Sequence, residues 1–413
     1  MCNLNLPFYE QQIETGWQFV MDKLYDKKTN MIYDYLTEEC LNKPFSNLPS
    51  PEEIKNSIPN PCGWGTGMED STLNLCIMVD AALARYALTK ENAIKEQLLM
   101  LCDGLIRNGT AAEPGFIARS ICHADGKSVY IDSSRDQYTN WIYAAHLLIN
   151  SEIVDEQQKA KLKEITVNVA KKLKRDINSE HKGFLCRLDG YPGKVSQMIG
   201  ENLDPHELLR TPMIYMAAFE ACKDKNWLKE YYAIIEPLLL KTEETYTSEW
   251  IARLCNGYGK IYGVYQAQYS FKLLYDLEQD KSFKERYKKL MLVSANSSVL
   301  FTKRAYDNIE LIKKTDTYFK AWRNMPLNDM GMFYGKSYFV PDLWNGKPMY
   351  KWLRNMGEAI IIQSITPTFN IQKDEKEKFY NFIEKADFAN ARNYWPVLFC
   401  AAWWLAKANG QIS

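Results

Sequence analysis

"TNWIYAAH", Thr139 to His146, and "TPMIYMAA", Thr211 to Ala218, are two versions of one phrase, T-x-x-I-Y-x-A-A. Each follows a G-F-x-x-R segment, "GFIAR" from Gly115 and "GFLCR" from Gly183. The parts return in the same order: a long loop, an extended G-F-x-x-R stretch, then a helix facing inward. Such recurrence is expected when each supersecondary unit buries its face against the next. Apolar residues keep helical spacing outward from here, as in "IETGWQFVMDKLYD", "LCIMVDAALARYAL" and "YQAQYSFKLLYDLEQD", and strand alternation is rare. The spacing predicts roughly twelve to fourteen helices of ordinary length. Short joints, "LTKEN" (Leu88 to Asn92) and "INSEIVDEQ" (Ile149 to Gln157), alternate with long glycine-bearing ones, Gly104 to Ser133 and Asn178 to Pro205. No Gly/Ser-rich linker or change of composition divides the chain. The expectation is one all-α domain over residues 1–413: a closed ring of helical hairpins, an α/α toroid with long loops and short β segments at one end. A two-domain helical protein is the alternative. In a closed ring, helix ends and long loops converge on one pocket at the axis.

Composition narrows the function. Lys and Arg (51) balance Asp and Glu (51), so no broad basic field exists to attract a phosphate backbone and nucleic acid is not an expected partner. The most apolar run, "WPVLFCAAWWLA" from Trp395 to Ala406, falls well short of the roughly twenty residues that span a bilayer. A soluble protein is therefore expected; the stretch "MCNLNLPFYEQQ" shows neither a charged n-region nor an apolar h-region, and the compartment, cytoplasmic or periplasmic, is left open. Ten cysteines lie without CxxC or Cys/His metal spacing. Most, including Cys76, Cys102, Cys222 and Cys400, read as small buried hydrophobes. Nucleotide, metalloprotease and serine-hydrolase motifs are missing, and four separated histidines make a multi-His metal site improbable, so neither metal nor cofactor is expected. Aromatic residues make up 13% of the chain, an excess suited to sugar-like ligands.

Chemistry concentrates in two stretches. In "NPCGWGTGMED", Gly63, Gly65 and Gly67 let the loop turn sharply and present Trp64 to a ligand, with Glu69 and Asp70 in the first turn of the helix that follows. A carboxylate there is also favoured by the helix dipole alone. In "DSSRDQYTNWIYAAH", Ser134 and Gln137 fit an S-x-x-Q capping box, which starts a helix near Arg135 and puts Asp136 in its first turn. About one hairpin separates Asp70 from Asp136, so two carboxylates are expected to face one cleft, as glycosidic chemistry requires. A helix N-terminus lowers a carboxyl pKa, so the proton donor needs burial or a negative neighbour, supplied by the other aspartate, Glu69 or Asp132. Arg119 and Arg135 are placed to bind a sugar carboxylate or to pair with nearby acids. His123 sits on a loop beside turn residues. Among the loops dense in Tyr, Trp and Gly, Trp250, Tyr258, Tyr334 and Trp344 are the ring candidates for stacking on sugar, whereas Trp17, Trp403 and Trp404 read as core.

G-M-E-D at a helix mouth, D-S-S-R-D-Q-Y about one hairpin later and helical hairpins throughout resemble the six-hairpin glycosidase superfamily. The likeness is closest to the unsaturated glucuronyl and rhamnogalacturonyl hydrolases and their bacterial relatives. It implies an (α/α)6 toroid, with Asp70 and Asp136 flanking the substrate and the later aspartate donating the key proton. The first site departs from the family pattern, which carries a histidine-rich H-x-x-D-like segment where this chain has Gly67-Met68-Glu69-Asp70. The glycine-aromatic stretch "NGYGKIYG" matches only loosely. The leading expectation is a glycoside hydrolase acting on a short acidic or unsaturated oligosaccharide. A polysaccharide lyase on the same toroid is the runner-up, with Tyr138 or His123 as base and Arg119 neutralising a uronate. A non-catalytic carbohydrate-binding protein comes third.

Overall fold

A computed structural model describes residues 6–37, 40, 43–257, 261–313, 320–342 and 348–412. Among them are fourteen α-helices and six short strands. The helices are α1 (Leu6–Phe19), α2 (Pro51–Lys55), α3 (Ser71–Thr89), α4 (Asn92–Thr110), α5 (Arg135–Ile149), α6 (Glu156–Asp176) and α7 (Arg210–Cys222), then α8 (Lys225–Thr245), α9 (Ser248–Gly257), α10 (Tyr262–Leu277), α11 (Lys281–Tyr306), α12 (Pro348–Ile365), α13 (Lys373–Lys385) and α14 (Trp395–Ala408). Three antiparallel hairpins interrupt them: β1 (Tyr25–Asp26) with β2 (Met31–Ile32), β3 (Phe184–Cys186) with β4 (Pro192–Gln197), and β5 (Leu327–Phe333) with β6 (Lys336–Pro341). The protein is therefore mostly helical, as the apolar spacing predicts.

Two kinds of helix alternate. In α3 every residue from Ser71 to Ala82 is buried, in α7 every residue from Arg210 to Ala218, and in α14 every residue from Trp395 to Ala406. Helices buried all round belong inside a protein. By contrast, α8 buries one stripe, Trp227, Tyr231, Ile235, Leu239 and Thr242, at spacings of four and then three residues. The inner helices touch in succession: α3 packs on α5, α5 on α7, α7 on α10, α10 on α12, α12 on α14, and α14 on α3 again. Each also packs on a one-sided helix adjacent in sequence, α4, α6, α8, α11 and α13, while α1 covers α14. Asp155 and Gln158 close a capping box on α6, and Asp280 caps α11, which fixes where these outer helices begin.

The repeated phrase has a steric basis. Gly115 and Gly183 adopt left-handed φ angles of 87° and 77°. A Cβ on Gly115 would fall 2.3 Å from the Asn168 carbonyl oxygen, and one on Gly183 would fall 1.9 Å from that of Ile199. Only the second copy forms a strand, β3. "GFIAR" runs irregularly into a turn. Trp17, Trp403 and Trp404 are core residues. The nine described cysteines are unpaired; eight are buried, but Cys222 is exposed, because it is the last residue of α7 and falls on its solvent side. Among the described residues no helix is long and apolar enough to cross a membrane.

Candidate functional site

The loop before α3 is organised by one side chain. Asn60 Oδ1 accepts from the backbone N–H groups of Cys62 (3.1 Å) and Trp64 (3.0 Å), and its Nδ2 donates to the carbonyls of Trp64 (3.1 Å) and Phe339 (2.8 Å). Gly65, at φ 80°, lies so close to β6 that a Cβ would sit 2.7 Å from the Pro341 ring. The Trp64 ring is left between the Arg119 guanidinium, at 5.6 Å, and the Tyr338 ring, also at 5.6 Å. The helix starts at least two residues later than expected. Asp70 is its N-cap and Glu69 precedes it, so neither carboxyl lies within the first turn. Asp34, fully buried and absent from the sequence-based set, holds both in place: its Oδ2 accepts from the N–H groups of Glu69 (2.8 Å) and Asp70 (3.0 Å), and its Oδ1 from Asn74 Nδ2 (2.9 Å). The sequence signal was a lone acid in the apolar run "MIYDYL".

Asp136 lies in the first turn of α5, as expected. The capping box does not form. Ser134 is the N-cap but its hydroxyl makes no capping bond: the Gln137 N–H donates to the Ser134 carbonyl instead (3.0 Å), and the Gln137 side chain points elsewhere. Its Nε2 reaches across to α3 and donates to the Glu69 carbonyl (3.1 Å) and Asp70 Oδ1 (3.3 Å). Arg119 Nη1 donates to the same Glu69 carbonyl at 2.6 Å and lies 3.7 Å from Asp70 Oδ1. Arg210, at the start of α7, donates through Nη1 to Asp136 Oδ1 (2.5 Å) and Thr139 Oγ1 (3.4 Å), and through Nη2 to Gln266 Oε1 on α10 (2.8 Å). Arg354 on α12 donates to Tyr394 Oη and Glu358 Oε1, both at 2.8 Å, and lies over the Tyr262 ring at 5.3 Å. Asp70 and Asp136 keep 27% and 28% of their side chains exposed, so both are accessible from solvent.

Electrostatics separates the two aspartates. Burial pushes the Asp70 carboxyl above its usual range, the Asp136 charge adds to this, and Arg119 and Arg354 oppose it without cancelling it. Burial also raises Glu69, to about 7, and Asp34, each reinforced by neighbouring carboxylates. Asp136 goes the other way: burial penalises its charge, but Arg210 and Arg135 outweigh that and hold it below the ordinary carboxylate range. The aspartate expected to give the proton is thus the one kept ionised, and Asp70 is the one disposed to hold a proton.

The remaining candidates divide. Arg135 forms an ion pair with Glu207 beside Asp136. Trp250, on α9, stacks on His206 with centroids 5.7 Å apart. His206 is nearly buried, and burial together with Arg210 pushes its imidazole down to about 3. Tyr138 is buried in the hydrophobic core, which also drives its phenol upward, so it offers no accessible base. His123 pairs with Asp26 (Nδ1 to Oδ2, 2.9 Å) and packs on Phe45, outside the set around Asp70. Asp132 accepts from Tyr338 Oη (2.6 Å) and the Lys194 N–H (3.1 Å), which spends it on fastening β6. Tyr334 sits at the exposed turn between β5 and β6, where Arg187 donates to its carbonyl at 3.1 Å. Tyr258 and Trp344 lie outside the described residues. Arg210, Arg354 and Gln266 join the site without having been picked out from the sequence; Arg210 is legible only as the residue just before the repeated T-P-M-I-Y. No protein-family model matches the chain, and no curated protein matches it.

Proposed function

We propose that the chain is a single (α/α)6 toroid of the six-hairpin glycosidase kind and that it hydrolyses a glycosidic bond in a short acidic or unsaturated oligosaccharide. The succession of inner helices from α3 back to α3, each with an outer neighbour, supports the toroid. The hydrolytic reading is carried by one observation: two solvent-accessible aspartates at the mouths of adjacent helices have pKa values pushed in opposite directions. Asp70 gives its proton to the leaving oxygen as the glycosidic C–O bond breaks. Asp136, held as a carboxylate, offsets positive charge on the sugar and takes the proton of the water that adds to the anomeric carbon. Arg119 and Arg354, whose charges reach Asp70, suit an acidic sugar through the planar guanidinium fork. The lyase alternative loses support because Tyr138 is in the core and His123 is engaged by Asp26.

The test uses unsaturated uronate disaccharides, whose conjugated chromophore near ~235 nm disappears on hydrolysis and grows on lyase cleavage of saturated polymers. Asp70→Asn and Asp136→Asn should each lower kcat by about 10²- to 10⁴-fold, with circular dichroism unchanged. Full activity in either variant would remove that residue from the mechanism, and a rising absorbance would replace hydrolysis by elimination.

A further inference from the structure

Of fourteen large apolar side chains exposed among the described residues, five lie on the β5–β6 hairpin. Cross-strand register sorts them. Leu327, Asp329 and Met332 stand opposite Pro341, Phe339 and Ser337, so these residues share one face of the two-stranded sheet. The other face carries Tyr338, bonded to Asp132, and Phe333, packed on Phe184 at 5.8 Å; that side rests on the body. On the outward side Leu327 is 53% exposed, Met332 72% and Phe339 37%. Met330, where the β5 register shifts, and Tyr334, at the turn, extend the exposed surface. Tyr191 on the β3–β4 turn adds to it, beneath the Arg187 guanidinium that holds the Phe333 and Tyr334 carbonyls. At ~150–250 Å² for a whole large side chain, these exposed parts amount to roughly 600 Å². A patch of that size stands at the top of the ~300–600 Å² found for the largest apolar patch on a monomer.

Charge is nearly absent from it. A quarter of the chain is charged, yet from Met325 to Gly335 Asp329 is the single formal charge, and its Oδ1 accepts from the Gly331 N–H at 2.7 Å. Methionine and aromatic rings with few charges are the composition of an interface core, and homodimer interfaces are the more apolar kind. A face without a basic cluster gives an anionic membrane nothing to hold. The strand edge is closed as well. Lys194 Nζ takes the Met330 carbonyl and Arg187 Nη1 the Phe333 carbonyl (3.2 Å), and the ladder shifts register between Asp329 and Met332. Engaged carbonyls and a bulge keep a further strand from adding to β5, so contact must use the face. Two such faces packed together form a small sandwich with sheets ~10 Å apart, and a two-fold axis closes it with no copy of the surface left over. With Asn328, Asp329, Ser337 and the exposed backbone included, each face comes near the ~800 Å² that one partner buries in a standard interface.

We propose that the outward face of the β5–β6 hairpin is a homodimer interface, on which a second copy of this chain packs its own hairpin about a two-fold axis. Leu327, Met330, Met332 and Phe339 form its core. The inference does not depend on the carbohydrate reading. Asn60 ties the Phe339 carbonyl to the loop that carries Trp64, so the second copy stands beside that loop.

Sedimentation velocity over a concentration series tests it. The wild type should sediment as two chains at micromolar concentration and dissociate on dilution. Met332→Lys and Leu327→Asp alter side chains more than half exposed, so each should keep its circular dichroism spectrum while weakening the dimer about tenfold or more. Leu88→Lys, an exposed leucine at the far end of α3, should leave the dimer unchanged. Hydrogen exchange on the wild type needs no variant: amides of β5 should slow as concentration rises, and those of α8 should not. The proposal falls if the wild type stays a single chain at every concentration, if the dimer ignores both Met332→Lys and Leu327→Asp, or if β5 exchanges alike in monomer and dimer. Open-ended growth into larger species would overturn the two-fold closure. A monomer that binds phosphatidylserine–phosphatidylcholine vesicles through Met332 would assign the face to a membrane instead.

Discussion

Arg210 is the strongest of the charges that hold the Asp136 carboxyl below its ordinary range. It is buried to 1% exposure, and Asp136 is its ionic partner. A carboxyl whose folded pKa is depressed contributes stability that is present above its unfolded value and lost as pH falls through the folded one. Arg210→Met should therefore destabilise the protein at neutral pH by about 3 kcal/mol in urea denaturation, the scale for breaking a partly buried ion pair. It should also move the acidic limb of the pH–rate profile upward, because Asp136 would then take up a proton more readily. Glu69 obeys the opposite sign. Its folded pKa rises from 4.5 to about 7, so the wild type should lose stability as pH increases across that interval, and Glu69→Gln should flatten the slope when melting temperature is measured against pH. The acids of this pair of helix mouths were legible because a carboxyl beside a helix start is a local pattern. Asp34, Arg210 and Arg354 were not, since they come from chain positions remote from Asp70, and only folding makes them neighbours.

Among the elements, the same kind of residue has unequal consequences. Gly183 and Gly190 both have positive φ, but a Cβ at Gly183 would strike the Ile199 carbonyl at 1.9 Å whereas one at Gly190 would meet nothing within 4 Å. Gly190→Ala should cost about 1–2 kcal/mol, the left-handed backbone term alone, while Gly183→Ala should cost several times that or prevent folding. The β5–β6 hairpin makes a second case. Its outer strand is exposed along nearly its whole length, and it is fastened by Tyr338 Oη on Asp132 and by Arg187 on the carbonyls of Phe333 and Tyr334. Tyr338→Phe should cost roughly 1–3 kcal/mol by leaving Asp132 short of a donor, and should speed limited proteolysis between Met330 and Gly335. These strands escaped the sequence reading because β5 has no buried face and the residues of β6, Lys-Ser-Tyr-Phe-Val-Pro, do not alternate polar and apolar although their burial does; side-chain anchors hold the hairpin. The S-x-x-Q box misled for a related reason. Gln137 had a tertiary partner in Asp70, and that bond displaced the local one.

At the scale of the molecule, the helical content and the alternation of inner and outer helices were legible, because burial leaves its period in the sequence. The contact of α14 with α3 was not, since no local pattern encodes which distant helices meet. Arg85 reinforces that junction: it pairs with Glu14 (2.7 Å) and Glu91 (3.0 Å) and lies over the rings of Trp17 (4.8 Å) and Trp404 (5.1 Å). Arg85→Ala should lower stability by about 2–3 kcal/mol, since both acids are partly exposed and the rings supply the rest, a difference that chemical denaturation would read directly. The cross-links at the helix mouths are of a different kind. Gln137 spans α5 to the Glu69–Asp70 turn, and Arg210 spans α5, α7 and α10. An amide does not titrate, and a guanidinium stays charged in any ordinary buffer. The braces themselves therefore carry no proton that acidity can remove, and any loosening of the helix mouths must come from protonation of the carboxylates they hold.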